Sequence, residues 1–183
     1  MVNESGRAFA PLSVFVSYKR SDEETYGLVG QLKRHLPHRF SSHTGDRLSL
    51  FVDTGMAGGV EWKKSIKEAA ASSDFMLCLL SVEYLCGEHC RNEVSWFLDS
   101  REASEKGVSI LPIPLIDPAV LTKYCPREGR EVLERLARLN WVDGSPAIDS
   151  AYAGPEWQIF LRRLVNDSLV PAWERKRDRQ QPL

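Results

Sequence analysis

The sequence predicts one doubly wound α/β domain, with five parallel β-strands and helices on both faces of the sheet. Three observations carry this reading. Short β-branched and aromatic runs alternate five times with stretches whose apolar residues recur at helical spacing. One run, Phe75-Met76-Leu77-Cys78-Leu79-Leu80, is apolar throughout, as a strand covered by helices on both sides must be. The length of 183 residues, with 43% hydrophobic and 27% charged residues, suits one domain with a full core.

The elements follow in order. Ser13-Val14-Phe15-Val16-Ser17-Tyr18 reads as the first strand. Leu28, Val29, Leu32 and Leu36 form a helix stripe that is expected to end near Pro37, with 38–46 as loop. Leu48-Ser49-Leu50-Phe51-Val52 is the second strand, and 53–59 a Gly-rich loop. Trp62, Ile66, Ala69 and Ala70 share one helix face. The third strand is the apolar run above. Cys90, Val94, Phe97 and Leu98 repeat the helical stripe beyond an interruption at Gly87. Residues 108–116 hold a fourth strand, which Pro112 and Pro114 push toward an edge. Val132, Leu133, Leu136 and Ala137 mark a further helix, and 139–142 a short fifth strand. Trp157, Phe160, Leu161, Leu164 and Val165 give the last helix. A flavodoxin-like order, 2-1-3-4-5, is the expected arrangement. The domain is expected over 12–172, after a disordered lead at 1–11 and before a polar tail or linker at 173–183.

Composition excludes several functions. A formal net charge of −1 gives no global pull toward nucleic acid or membrane surfaces. No apolar run approaches the roughly 20 residues of a membrane helix. Cys86 and Cys90 lack the second Cys/His pair of a zinc site, and four cysteines do not make a disulfide framework in a domain of this size. The reading is a reducing, cytoplasmic compartment, with no metal and no prosthetic group.

In parallel sheets of this kind ligands bind beyond the carboxyl ends of the strands, at the topological switch point. Three segments fall there. Ser17-Tyr18-Lys19-Arg20-Ser21-Asp22 sets two cations at a helix start, which suits a phosphate and equally suits ordinary helix capping. The loop from Asp53 to Trp62 has three glycines but no G-x-x-x-x-G-K-[ST] cradle. Trp62 serves as core or as a wall for a ring. The third segment ends in His89-Cys90-Arg91-Asn92-Glu93. There Glu93 falls in a first helical turn, whose dipole favours a carboxylate, although a capping acid would also sit there.

Together these segments resemble a TIR domain of the bacterial NAD-cleaving type. Val14-Phe15-Val16-Ser17-Tyr18 is similar to the family's first box. Phe51-Val52-Asp53 through Gly59 and Trp62 resembles its second strand and BB loop. Ser81-Val82-Glu83-Tyr84-Leu85 with Cys90-Arg91-Asn92-Glu93 resembles its Ser, Tyr-Leu and Cys-x-x-Glu pattern. The resemblance implies cleavage of the nicotinamide–ribose bond of NAD⁺, a substrate here rather than a bound cofactor, with Glu93 catalytic. It implies that Ser17, Tyr18, Lys19, Arg20, Asp53, Trp62 and His89 bind the substrate. It further implies that Thr54, Gly55, Met56, Ala57, Gly58, Gly59 and Val60 take part in TIR–TIR assembly. The chain departs from the pattern at His89, where many catalytic members carry an aromatic, and at Gly87, where they carry Ser.

The implied role is an effector in anti-phage defence, activated by oligomerisation and coupled to a fused or separate sensor. A non-catalytic TIR adaptor and a nucleoside deoxyribosyltransferase-like enzyme are the alternatives. A phosphorylation receiver is excluded, because Ser17-Tyr18 and Leu80-Ser81 stand where its acids belong. A flavin-binding flavodoxin is excluded by Tyr18-Lys19-Arg20 after the first strand.

Overall fold

The computed structural model describes residues 10–53, 60–102 and 109–180, without the side chains of 60–62 and 102. Among them, four strands form one parallel sheet in the order β2-β1-β3-β4. These are β1 (Leu12–Ser17), β2 (Leu48–Val52), β3 (Phe75–Leu80) and β4 (Ile110–Pro114). Strand β1 lies between β2 and β3, with Val16 opposite Val52 on one side and Leu77 on the other. The order agrees with the doubly wound expectation as far as these strands go.

The expected fifth strand does not form a ladder. The chain passes β4 there, and the Val142 and Gly144 amides donate to the Pro112 and Pro114 carbonyls at 3.1 and 3.0 Å. A parallel ladder needs the return bonds from the same β4 residues, and proline has no N–H to give them. The two prolines that mark β4 as an edge therefore also reduce its neighbour to a one-way strap.

Helices cover both faces. On one side, Val14 and Val16 of β1 and Leu77 and Leu79 of β3 pack against α2 (Leu28–Thr44) and the C-terminal helices. On the other, Phe15, Met76, Cys78 and Leu80 pack against α3 (Val60–Ser72), α4 (Val82–Cys86), α5 (Glu88–Glu102) and α7 (Arg130–Leu136). Alternation of side chains along each strand feeds the two cores in turn. Two short helices, α6 (Pro118–Tyr124) and α8 (Ser145–Asp149), sit on the connections after β4.

The helix after β1 is split. The short α1 (Arg20–Tyr26) stops at Gly27, whose φ of 67° only glycine adopts without strain. The carboxylate of Glu23 then caps α2, accepting from the Val29 and Gly30 amides at 2.7 and 2.9 Å. Contrary to the sequence expectation, α2 does not end near Pro37 but runs on to Thr44, and 38–44 is helix rather than loop. Pro37 forfeits one backbone bond, but Phe40 beyond it is fully buried, edge-on to the Trp173 ring. Burying an aromatic ring outweighs one missing hydrogen bond.

The C-terminal region also differs from expectation. After α9 (Gly154–Arg162), a π-type stretch (Arg163–Leu169) leads into α10 (Val170–Gln180), so most of the expected polar tail is helix. Trp173 anchors it in the core, with the Arg177 guanidinium over its ring. Lys176 Nζ donates to Asp74 Oδ2 and to the Pro11 carbonyl, both at 2.7 Å. Asp74 also accepts from the Ser13 amide and hydroxyl at 2.9 and 2.6 Å. One carboxylate thus ties α10 to the starts of β1 and β3.

Burial alone would raise the Asp74 carboxyl, but the bonds from Lys176 and Ser13 outweigh it and hold it below its ordinary value. A depressed acid stabilises the fold above its unfolded pKa and loses that contribution as pH falls through the folded value. Lys176→Met, which keeps the aliphatic stem, is expected to cost about 1–3 kcal/mol at neutral pH. Urea denaturation should show that cost shrinking once the pH falls below about 4, where even a depressed Asp74 starts to protonate.

Candidate active site

The carboxyl ends of β1 and β2 and the first turns of α5 meet in a small cleft. Val16, Tyr18, Arg20, Asp53 and Glu93 line it, and its volume is about 60 Å³. That holds a water or two and not a dinucleotide. Residues 54–59, the expected BB loop, follow Asp53 directly and lie outside the described residues.

Glu93 is the centre of the arrangement. Gly87 closes α4, and α5 begins at Glu88, so Glu93 falls in the second turn and faces the end of β1. Its side chain is only 7% exposed. The Ser17 hydroxyl, at the last position of β1, lies 2.5 Å from Glu93 Oε2. On its other side Ser17 meets the Tyr84 hydroxyl at 2.6 Å. Tyr84, on α4, is fully buried and reaches the Cys90 carbonyl at 3.4 Å. Burial pushes the Glu93 carboxyl up to about 8; the Ser17 hydrogen bond opposes this and the Asp53 charge adds to it. Burial thus favours the neutral form of the resting side chain.

The floor beneath is a second polar chain. Ser81 caps α4 by accepting from the Tyr84 amide at 2.9 Å, and its hydroxyl donates to Asp22 of α1 at 2.6 Å. Burial raises the Asp22 carboxyl despite the Ser81 bond. At the rim, Ser21 donates to Glu83 at 2.5 Å. These contacts lock α1 to α4 and so fix the turn that carries Tyr18, Lys19 and Arg20.

The expected site residues divide into three groups. Tyr18, Arg20, Asp53 and Glu93 share the cleft, and Ser17 lies directly behind it. Tyr18 reaches across to β2, its hydroxyl donating to the Asp53 carbonyl at 2.7 Å. Ser17 is buried, and its hydroxyl meets Glu93 and Tyr84. Lys19 is the half-exposed N-cap of α1 and His89 an exposed residue of the first turn of α5, and neither lines the cleft. Trp62 is placed on the first turn of α3, but its side chain, like Thr54, Gly55, Met56, Ala57, Gly58 and Gly59 and the side chain of Val60, lies outside the described residues.

Two further residues matter. Tyr84 falls in the Tyr-Leu pattern of the family resemblance and Asp22 at a helix start, but neither was singled out as a site residue by the sequence. The one available hint was that a buried Tyr hydroxyl demands a polar partner.

An acid with a raised pKa binds its proton more tightly in the fold than in the unfolded chain. Stability is thus complete below the unfolded value near 4.5 and declines as pH rises toward about 8. Glu93→Gln removes that decline. Thermal melts of the two proteins are expected to converge at low pH and to favour Glu93→Gln increasingly as pH rises through this window. A constant difference would contradict the raised value.

Comparison with known proteins bears on the family and the fold. The TIR domain family model matches residues 14–154. The TIR domains in the structure of the activated Roq1 resistosome, which directly recognises the pathogen effector XopQ, superpose with a TM-score of 0.56 at 19% identity. That match covers 85% of this chain and 98% of theirs. The structure of the Clostridium botulinum CMP N-glycosidase BcmB aligns over 82% of this chain and 95% of its own, with a TM-score of 0.45 and 13% identity. No curated protein sequence matches the chain significantly. With a family model spanning the sheet, the cleft and the carboxyl-terminal edge, the chain belongs to the TIR domain family.

Proposed function

We propose that this protein is a TIR-domain NAD⁺ glycohydrolase that cleaves the nicotinamide–ribose bond, with Glu93 as the catalytic carboxyl group. The single observation that carries the reading is a nearly buried carboxyl group, held by Ser17 at 2.5 Å, in a cleft shared with Arg20. Membership of the TIR family supports a glycosidic-bond reaction at that site.

The chemistry follows from charge. The C1′–N bond breaks with its electron pair going to nicotinamide, which leaves neutral, while positive charge develops on the ribose. Water adds to C1′ and releases a proton, giving ADP-ribose; attack from within the molecule gives a cyclic isomer instead. Because the leaving group starts as a cation, no general acid is needed. The protein must instead stabilise the developing charge, and an ionised Glu93 with fixed geometry does so. A bound nicotinamide ring carries positive charge and pulls the Glu93 proton equilibrium toward the carboxylate. Arg20, the first residue of α1, lines the same cleft as Glu93, and this reading gives it a phosphate of the dinucleotide, with Lys19 as a second cation.

The family resemblance extends this to self-association, with residues 54–60 completing a neighbour's site, and to a bacterial anti-phage effector under a sensor. An assembled preparation incubated with NAD⁺ tests the enzyme reading. Nicotinamide release is expected from the wild type, and Glu93→Gln is expected to lower kcat by roughly 100- to 1,000-fold. No turnover by demonstrably assembled protein favours the adaptor reading, and release of base from nucleosides but not NAD⁺ favours the deoxyribosyltransferase one.

Arg20→Ala is expected to raise KM more than it lowers kcat, as for a contact made equally in ground and transition states. An unchanged KM would remove Arg20 from the phosphate role.

A further inference from the structure

Glu93, Ser17 and Tyr84 form a line of contacts that ends on the main chain. Glu93 Oε2 lies 2.5 Å from Ser17 Oγ, Ser17 Oγ 2.6 Å from the Tyr84 hydroxyl, and the Tyr84 hydroxyl 3.4 Å from the Cys90 carbonyl. Each hydroxyl has one hydrogen to give. Along this line, with Glu93 neutral, there are as many hydrogens as contacts, and every bond runs the same way, from Glu93 through Ser17 and Tyr84 to Cys90. With Glu93 ionised one hydrogen is gone. Both hydroxyls must then turn toward the carboxylate, and the contact given up is the longest. The Cys90 carbonyl loses little, because helix geometry supplies it with the amide four residues on.

We propose that Tyr84 is a positioning residue for Glu93, its buried hydroxyl reversing direction together with Ser17 whenever Glu93 gains or loses its proton. The carboxylate is then met by two aligned hydroxyl dipoles, and no heavy atom moves. This rests on the reading of Glu93 as the working acid and deepens it, since the same line of atoms accommodates both the resting neutral acid and the ionised one.

The surroundings leave the task to these groups. Tyr84 is fully buried and burial holds its own phenol protonated, so it acts as a rotor and not as an acid. Cys78 of β3, whose thiol also hydrogen-bonds the Tyr84 side chain, and Cys90 of α5 both interact with Glu93 and are likewise kept protonated by burial. Asp53, from the end of β2, opposes ionisation of Glu93, and Tyr18 and Arg20 share the cleft from the end of β1. On α3, packed along α5, the Lys67 ammonium lies 6.0 Å from the Trp96 ring centroid.

The test is carboxyl ¹³C NMR of the ligand-free protein titrated with pH, the Glu93 resonance being assigned by its loss in Glu93→Gln. Ser17 donates to the carboxylate and Tyr84 to Ser17, and bonds in such a chain polarise one another, so losing the Tyr84 hydroxyl weakens the charge-assisted bond and costs the ionised state more. Tyr84→Phe is expected to raise the Glu93 midpoint by about half to one pH unit. In a Ser17→Ala background, which cuts the chain in the middle, the same change is expected to leave the midpoint where it is. Replacing Tyr84 with difluorotyrosine, nearly isosteric and a better donor, is expected to lower the midpoint, and it serves if Tyr84→Phe does not fold. A midpoint unmoved by either change, with stability altered equally at every pH, overturns the proposal and leaves Tyr84 a packing residue. No substrate enters the experiment. A shifted midpoint in a protein inert to NAD⁺ therefore supports the role of Tyr84 while sinking the glycohydrolase reading, and turnover with an unmoved midpoint does the reverse.

Discussion

The hydrogen bond between Ser17 and Glu93 joins the last residue of the strand β1 to the second turn of α5, and much of the site depends on it. A carboxyl group that is only 7% exposed has lost most of its water and must recover what it can from the protein. Ser17 supplies one hydroxyl and Tyr84 stands behind that hydroxyl. The three side chains come from β1, α4 and α5, so the contact also fixes how α5 lies across the sheet.

Strand β1 makes this possible because it is interior to the sheet. With β2 on one side and β3 on the other, its backbone is paired and both its faces are covered. Between Ser13 at its start and Ser17 at its carboxyl edge its side chains are apolar, and both serines share the face of Phe15. One residue on, Tyr18 turns to β2 and bonds the Asp53 carbonyl, closing the cleft from the side. At the opposite end of the same strand, Ser13, Asp74 and Lys176 tie down the C-terminal helix. The two ends treat their carboxyl groups in opposite ways. Asp74 has a cation and is stabilised in its charged form, whereas burial dominates at Glu93 and favours the neutral one. A structural acid gains from being settled. On the proposed function, Glu93 answers to a cationic ligand, and such an acid gains from being poised.

Much of the fold was legible in the sequence because its signals are local. The β-branched and apolar runs gave the strands, and the helical stripes gave the helices that cover them. Where expectation and structure part, a local rule met a longer-range one. Pro37 was a reasonable end for α2, but Phe40 and its contact with Trp173, more than a hundred residues away, carry the helix on. Arg, Lys and Gln near the C-terminus looked like a solvated tail, but one buried tryptophan and one ion pair make it structure. The fifth strand fell short for a reason visible in the sequence, since Pro112 and Pro114 withhold the very amides that would have paired it.

The sequence by itself determined the layered α/β class, the edge at which a ligand would sit and the acid most worth attention. The class and the edge follow from periodicity and element order, and the acid from the motifs that resemble a TIR domain; none of these needs knowledge of distant contacts. Only the tertiary structure decided what kind of acid Glu93 is. Its raised proton affinity comes from burial and from Ser17 and Asp53, residues at 17 and 53 brought beside it by the winding of the sheet. The role of Tyr84 is of the same kind: the sequence shows an aromatic in a family motif, and only the fold gives its hydroxyl a partner.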